Sequence, residues 1–154
     1  MPDALPTNPS DDLLSLDRQL CFALYSASLA MTKLYKPLLA PLGLTYPQYL
    51  VMMVLWEHAD LTVNDLGKRL QLDSGTLTPL LKRLEAAGLV QRQRDQQDER
   101  RVRVTLTASG LALKNQAQSI PQAVGCQVDM TNQELMSLRT TLSDLRRRLN
   151  PAGA

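Results

Sequence analysis

Leu13, Leu16, Leu20, Leu24, Ala27, Met31, Leu34 and Leu38 recur at steps of three and four residues, which places them on one face of an α-helix. The pattern predicts a first helix from Asp11, ended by Pro37 and Pro41 with Gly43 following. Thr45-Tyr46-Pro47-Gln48 reads as a capping box with proline in the first turn. It opens a second helix through Tyr49, Leu50, Met53, Val54 and Trp56. Thr62, with Asp65 behind it, caps a short third helix whose inward face is Val63, Leu66 and Leu70. After the turn Leu72-Asp73-Ser74-Gly75, a fourth helix buries Leu77, Leu80, Leu81 and Leu84, and Gly88 stands just past its end.

From Leu89 the period becomes two. Leu89–Arg94 and Arg101–Leu106 read as paired strands, joined by the all-polar stretch Asp95–Arg100, a tip expected to be mobile. Thr107 caps a fifth helix from about Ala108 to beyond Ile120, disturbed at Pro121 and Gly125. Thr131-Asn132-Gln133-Glu134 is a second capping box. It starts a last helix through Leu135, Leu138, Leu142, Leu145 and Leu149.

Two short helices joined by a tight turn, followed by a hairpin with a charged tip, form the order of a winged helix-turn-helix. The expected fold is mainly α with a small β-hairpin wing. Residues 46–106 form the DNA-binding unit, and 11–45 with 107–150 form a helical dimerisation region. Residues 1–10 are read as a disordered arm and 151–154 as a tail. The first helix is apolar around much of its circumference, since Phe22 and Leu29 lie off the main stripe. One protomer cannot cover it, and a homodimer is expected.

Composition narrows the class. A chain of 154 residues with 44% apolar residues suits one compact protomer, not a disordered segment. No apolar run is long enough to span a membrane. The first ten residues lack the pattern of a secretory leader, so a cytoplasmic location is expected. Two cysteines and one histidine do not make a zinc site of the usual kind, and no metal or cofactor is expected. His58, beside Glu57 near a helix end, is read as serving the helix C-terminus. The overall charge is only +2, so nucleic-acid binding must come from local placement. Lys82–Arg103 carries a net +3, and residues 1–20 a net −3.

The fourth helix would read DNA. Ser74, Gly75, Thr76, Thr78, Pro79, Lys82 and Arg83 lie at its start or opposite its leucine face. Arg94, Asp98, Arg100 and Arg101 belong to the hairpin. Asp98 is placed to hold the Arg100 guanidinium as a bidentate pair. A preoriented arginine at a wing tip suits a narrow minor groove.

Asp98-Glu99-Arg100, followed by Leu106-Thr107-Ala108-Ser109-Gly110, resembles the wing-and-exit signature of the MarR family. Leu20-Cys21-Phe22-Ala23-Leu24-Tyr25-Ser26, Leu44–Tyr49 and Leu72–Leu81 resemble its organic-hydroperoxide-sensing (OhrR) subgroup, and the similarity covers about residues 11–150. The resemblance implies a repressor of a pseudo-palindromic operator. A peroxide oxidises its Cys21 thiolate to a sulfenic acid, while Tyr35 and Tyr46 donate hydrogen bonds to that thiolate. Cys126 resembles the resolving cysteine of the two-cysteine branch, and Tyr25 is a weaker candidate beside Cys21.

The residues carry a compatible chemistry. Cys21, Tyr25, Ser28, Thr32 and Tyr35 share one helical stripe, and phenol O–H groups favour a thiolate. Cys21 reads as mid-helix, without help from a helix N-terminus. Cys21 and Tyr35 are fourteen positions apart, about 21 Å along a straight helix. If they serve one site, they meet across the dimer, which also favours an intersubunit Cys21–Cys126 disulfide. Phe22, Leu24, Met31 and Trp56 are candidates for an apolar pocket near the sulfur. The alternative function is a MarR-type repressor released by a reversibly bound phenolic ligand, with both cysteines structural. A thiol peroxidase would leave the hairpin without a purpose, so no enzymatic activity and no catalytic residues are expected.

Overall fold

The computed structural model describes residues 13–151; the arm at 1–10 and residues 152–154 of the tail lie outside the described residues. Helix α1 spans Leu20–Leu39 and α2 Tyr46–Glu57. Strand β1 (Asp60–Thr62) leads into α3 (Val63–Leu70) and α4 (Ser74–Ala86). Strands β2 (Val90–Arg94) and β3 (Val102–Leu106) form the wing. Helices α5 (Ala108–Ala117), α6 (Ile120–Val128) and α7 (Asn132–Leu149) complete the chain. The expected fold class, mainly helical with a small wing, is what the structure has.

Four details of the sequence reading are corrected. The first helix starts at Leu20, not Asp11. Leu16–Arg18 form a 3-10 turn and Gln19 is an extended cap, so the leucine spacing runs on past the helix itself. Pro37 does not break α1. It stands in the last turn, so it deprives only the Lys33 carbonyl of its helical donor, and the helix continues until the Ala40 N–H reaches the Lys36 carbonyl. The fifth helix is two helices, separated at Gln118–Ser119, with Pro121 in the first turn of the second. The wing has a third strand: β1 pairs antiparallel with β3 (Leu61 opposite Val104), giving the order β1-β3-β2.

The caps follow local chemistry. Thr45 with Gln48 and Thr131 with Glu134 make reciprocal capping boxes. Thr62, Asp73 and Thr107 each accept the N–H three residues on. Gly88 closes the region after α4 at φ 75°, a left-handed conformation that favours glycine.

The core gathers around α2, whose Val51, Met52 and Leu55 are fully buried. Leu66, Leu77, Leu81, Leu84, Val90 and Val104 pack around them; Leu80 is only half-buried. Helix α1 buries only Leu39, and α7 buries nothing within the protomer. Leu20, Leu29, Met136 and Leu142 are among the large apolar side chains left exposed. Among the described residues no single helix is long and apolar enough to cross a membrane.

Candidate functional site

The reading face of α4 is built from its cap. Asp73 accepts the Thr76 N–H at 2.7 Å, and this bond, with help from Gly75, holds the Asp73 carboxyl below the ordinary aspartate range. Ser74, Gly75, Thr76, Pro79, Lys82 and Arg83 are exposed. Thr78 is half-buried, and its hydroxyl donates to the Ser74 carbonyl at 2.7 Å. Leu77, Leu81 and Leu84 on the other face are buried and anchor the helix, so this surface is open.

The wing tip carries its own hydrogen bonds. Asp95 N–H donates to the Arg101 carbonyl at 2.8 Å, and Arg101 N–H to the Asp98 carbonyl at 2.9 Å. The Arg100 N–H reaches Asp98 Oδ1 at 3.1 Å. The bidentate Asp98–Arg100 pair that the spacing predicts does not form. Arg100 Nε meets Oδ1 at 3.4 Å, while Arg101 Nε approaches Oδ2 at 3.8 Å, so two arginines share the carboxylate. The Arg100 side chain is 93% exposed, and Arg94 is exposed at the end of β2. Arg103 faces away from this task; it is held by Asp60 at 2.9 Å and Asp95 at 3.6 Å, which ties β1 to the tip.

A crevice of about 260 Å³ lies between the start of α4 and the wing, lined among others by Asn64, Ser74, Thr78, Arg92, Arg100 and Arg101. Sequence reasoning did not single out Arg92. Its N–H and Nη2 both donate to Glu85, at 2.8 and 3.1 Å, fastening β2 to the end of α4. Those bonds hold the Glu85 carboxyl below its usual range. Arg92 Nε is buried without a protein partner. The available signal was its position two residues before Arg94, on the same side of the strand.

The thiol residues fall into two groups. Cys21 is the second residue of α1, not mid-helix as the leucine stripe suggested. The first-turn N–H groups there lack helical acceptors, which makes this the electropositive end of the helix. Cys21 is exposed, as is Tyr25 one turn later. Tyr35 and Tyr46 come together away from it, with ring centroids 4.7 Å apart. Tyr49, an ordinary position of the second helix in the sequence pattern, completes a triangle at 5.8 Å from Tyr35 and 6.4 Å from Tyr46. Burial, reinforced by the neighbouring phenols, pushes Tyr35 above the ordinary phenol range. Burial alone raises Tyr46, and burial followed by Tyr46 raises Tyr49. All three stay protonated donors at neutral pH.

Cys126 lies on α6, which packs against α1, and is a free, exposed thiol. The apolar pocket expected from Phe22, Leu24, Met31 and Trp56 does not form within one protomer. Trp56 instead meets Tyr49 edge-on and donates its Nε1–H to the Gly110 carbonyl at 2.9 Å. An apolar cleft of about 350 Å³ opens beside it, lined by Tyr49, Met53, Trp56, Ala117 and Pro121, with Glu57 and Lys114 also lining it. His58 caps the end of α2. Among the described residues no group of three or more His, Cys, Asp or Glu side chains is placed to hold a metal ion.

A helix-turn-helix backed by a three-stranded wing, with a cationic tip beside the reading helix, defines a winged-helix DNA-binding protein. The chain belongs to the SarA/MarR family of winged-helix transcriptional regulators: residues 33–117 match the family described as Transcriptional regulator SarA/Rot. It is 52% identical over 140 residues to the HTH-type transcriptional regulator TtmR of Methylorubrum extorquens, covering 91% of this chain and 72% of that protein. It is 48% identical over 134 residues to the organic hydroperoxide resistance transcriptional regulator of Bacillus subtilis, covering 87% and 91%. Reduced AbfR bound to DNA superposes with a TM-score of 0.75 at 34% identity, covering 92% of this chain and 96% of that one. Disulfide-formed AbfR superposes at 0.62 with 37% identity, covering 88% and 96%. AbfR is a protein of Staphylococcus epidermidis. The chain is a DNA-binding transcriptional regulator.

Proposed function

We propose that this protein is a cytoplasmic, homodimeric repressor that senses organic hydroperoxides through Cys21 and then releases a pseudo-palindromic operator. The observation that carries the reading is the separation of Cys21 from the paired Tyr35 and Tyr46 rings. Cys21 stands in the first turn of α1, whereas Tyr35 lies fourteen residues on, about 21 Å along the same helix. A site that uses the thiol and both phenols takes them from two copies, and the exposed apolar faces of α1 and α7 suit that pairing. The Bacillus subtilis relative, by its name, regulates organic hydroperoxide resistance, and AbfR has a disulfide form.

The chemistry is stoichiometric, without enzymatic turnover. The Cys21 thiolate attacks the distal oxygen of the hydroperoxide. The O–O bond breaks, the alkoxide leaves and is protonated to the alcohol, and the sulfur becomes a sulfenic acid. The thiolate of the partner's Cys126 then attacks that sulfur. An S–S bond forms and the hydroxide that leaves is protonated to water. A disulfide requires Cα atoms within about 7 Å, so bond formation draws α1 of one copy toward α6 of the other. Reading helices must span about 34–36 Å to enter successive major grooves, and rotation of the lobes destroys that spacing.

Non-reducing electrophoresis with and without an equimolar organic hydroperoxide tests this. The wild type should run as a covalent dimer after treatment, and Cys21→Ser and Cys126→Ser as monomers. An oxidised wild type that runs as a monomer while Cys21 and Cys126 map to one disulfide would place the link within one chain. The apolar cleft beside Tyr49 and Trp56 supports a second reading, release by a reversibly bound phenolic ligand. In that case Cys21→Ser would respond to the phenolic inducer as the wild type does.

A further inference from the structure

The function proposed above uses Tyr35 and Tyr46 and gives Tyr49 no role. Yet Tyr49 is the most buried of the three, at 3% exposure, and its ring touches both others. Tyr35 belongs to α1 and Tyr46 opens α2. The segment between these helices contains Pro41 and Gly43, and Gly43 is left-handed at φ 68°. The turn is tied by its own backbone bonds, Gly43 N–H to the Ala40 carbonyl at 3.0 Å and Leu44 N–H to the Leu39 carbonyl at 3.4 Å, which set the path of the chain but do not touch either ring. Tyr49 does reach both rings, because it stands on α2 one turn after Tyr46, with its centroid 5.8 Å from Tyr35 and 6.4 Å from Tyr46. Behind it, Trp56 meets the Tyr49 ring edge-on at 6.3 Å, and the indole is itself tied to the Gly110 carbonyl. Tyr35 and Tyr46 meet each other directly at 4.7 Å, so Tyr49 is a buttress behind the pair, itself backed by Trp56.

A hydrogen bond from a phenol to a thiolate is directional and weakens steeply as its angle closes. Two phenols donating to one sulfur therefore need a defined spacing and tilt. We propose that Tyr49 is a positioning residue of the thiol site, its ring holding the hydroxyls of Tyr35 and Tyr46 in place to donate together to the Cys21 thiolate of the partner copy. The proposal rests on the reading of those phenols given above. It assigns the task to the ring and not to the Tyr49 hydroxyl. Phenylalanine should serve there and an aliphatic side chain should not.

The test uses the full-length dimer carrying Cys126→Ser, so that Cys21 is its single thiol. The rate of alkylation by iodoacetamide is followed against pH, and operator binding in the reduced state reports an intact fold. Tyr49→Phe should titrate with the parent protein. Tyr49→Leu should move the midpoint up by about one unit, which is about tenfold less thiolate at any pH below both midpoints. Tyr49→Met, which keeps bulk without a ring, answers the same question if the leucine variant loses operator binding. An ordinary core residue would change the melting temperature and leave the midpoint in place. The proposal is overturned if Leu and Met leave the midpoint unmoved while Tyr35→Phe moves it, or if Phe moves it as far as Leu. If neither Tyr35→Phe nor Tyr46→Phe moves it, the reading of the phenols fails and the role of Tyr49 falls with it.

Discussion

Gly110 closes the wing-and-exit signature, and the structure gives a steric reason for it. A Cβ at this position would lie 2.1 Å from the Leu89 carbonyl oxygen and 3.0 Å from its carbon. An ordinary C···O contact is about 3.3 Å, so Gly110→Ala must push the Leu89 and Gly110 backbones apart by about 1.2 Å. The Leu89 carbonyl is not free to yield, because it accepts the Thr107 N–H at 3.1 Å. The Gly110 carbonyl in turn holds the Trp56 indole. Overpacking of this kind costs about 1–3 kcal/mol. Losing or stretching one of the two hydrogen bonds adds about 1–3 kcal/mol. Alanine recovers about 1 kcal/mol in helix propensity. The net expectation is a loss of about 3 kcal/mol, or about 6–12 °C in Tm for a chain of this size. Urea and thermal unfolding at one fixed protomer concentration measure it, since dimer stability depends on concentration. Ser109→Ala, one residue earlier on an exposed site, is the control and should stay within about 0.5 kcal/mol of wild type. If Gly110→Ala also stays within that range, α5 does not pack against Leu89 as described.

Arg100→Ala should weaken operator binding by about 1–3 kcal/mol, and Asp98→Ala by less, since Arg101 and the backbone also shape the tip. Equal affinities for Arg100→Ala and wild type in fluorescence anisotropy at matched salt would remove Arg100 from the interface. The Asp73 carboxylate is held below its ordinary range by the Thr76 N–H, so its contribution to stability is present above about pH 4 and is lost as pH falls through the depressed folded value. Urea unfolding from pH 7 to pH 2.5 should therefore show a shallower acid loss for Asp73→Asn than for wild type; identical slopes would contradict the cap.

Much of the fold is legible because its signals are local. Five of the helices have an N-cap whose side chain bonds a backbone N–H three positions on, so Thr45, Thr62, Asp73, Thr107 and Thr131 are visible in a short window of sequence; Gln19 and Ser119, which cap α1 and α6 without such a bond, are not. What escaped is non-local. Strand β1 is three residues long with no alternation of its own, and it exists through pairing with residues 103–105 of β3. The Glu85–Arg92 clamp and the Asp60–Arg103 pair join segments that no periodicity connects. The start of α1 is hidden because the leucine spacing continues through a 3-10 turn, and that continuation makes Cys21 look mid-helix when it stands at a helix end. Tyr49 was hidden for a different reason. Its position in α2 looks like any core position, and only the approach of Tyr35 from another helix brings it into the site.

Everything in the proposed switch depends on one thiol, Cys21, coupling hydroperoxide to release of DNA. The direct measurement is anisotropy of a fluorescent operator duplex bound by the reduced protein, titrated with an organic hydroperoxide up to a small excess over thiol. Wild type should come off the DNA and return on addition of a dithiol reductant, while Cys21→Ser should remain bound throughout. Release of Cys21→Ser at the same hydroperoxide concentration, or a wild type that stays on its operator, would contradict that coupling.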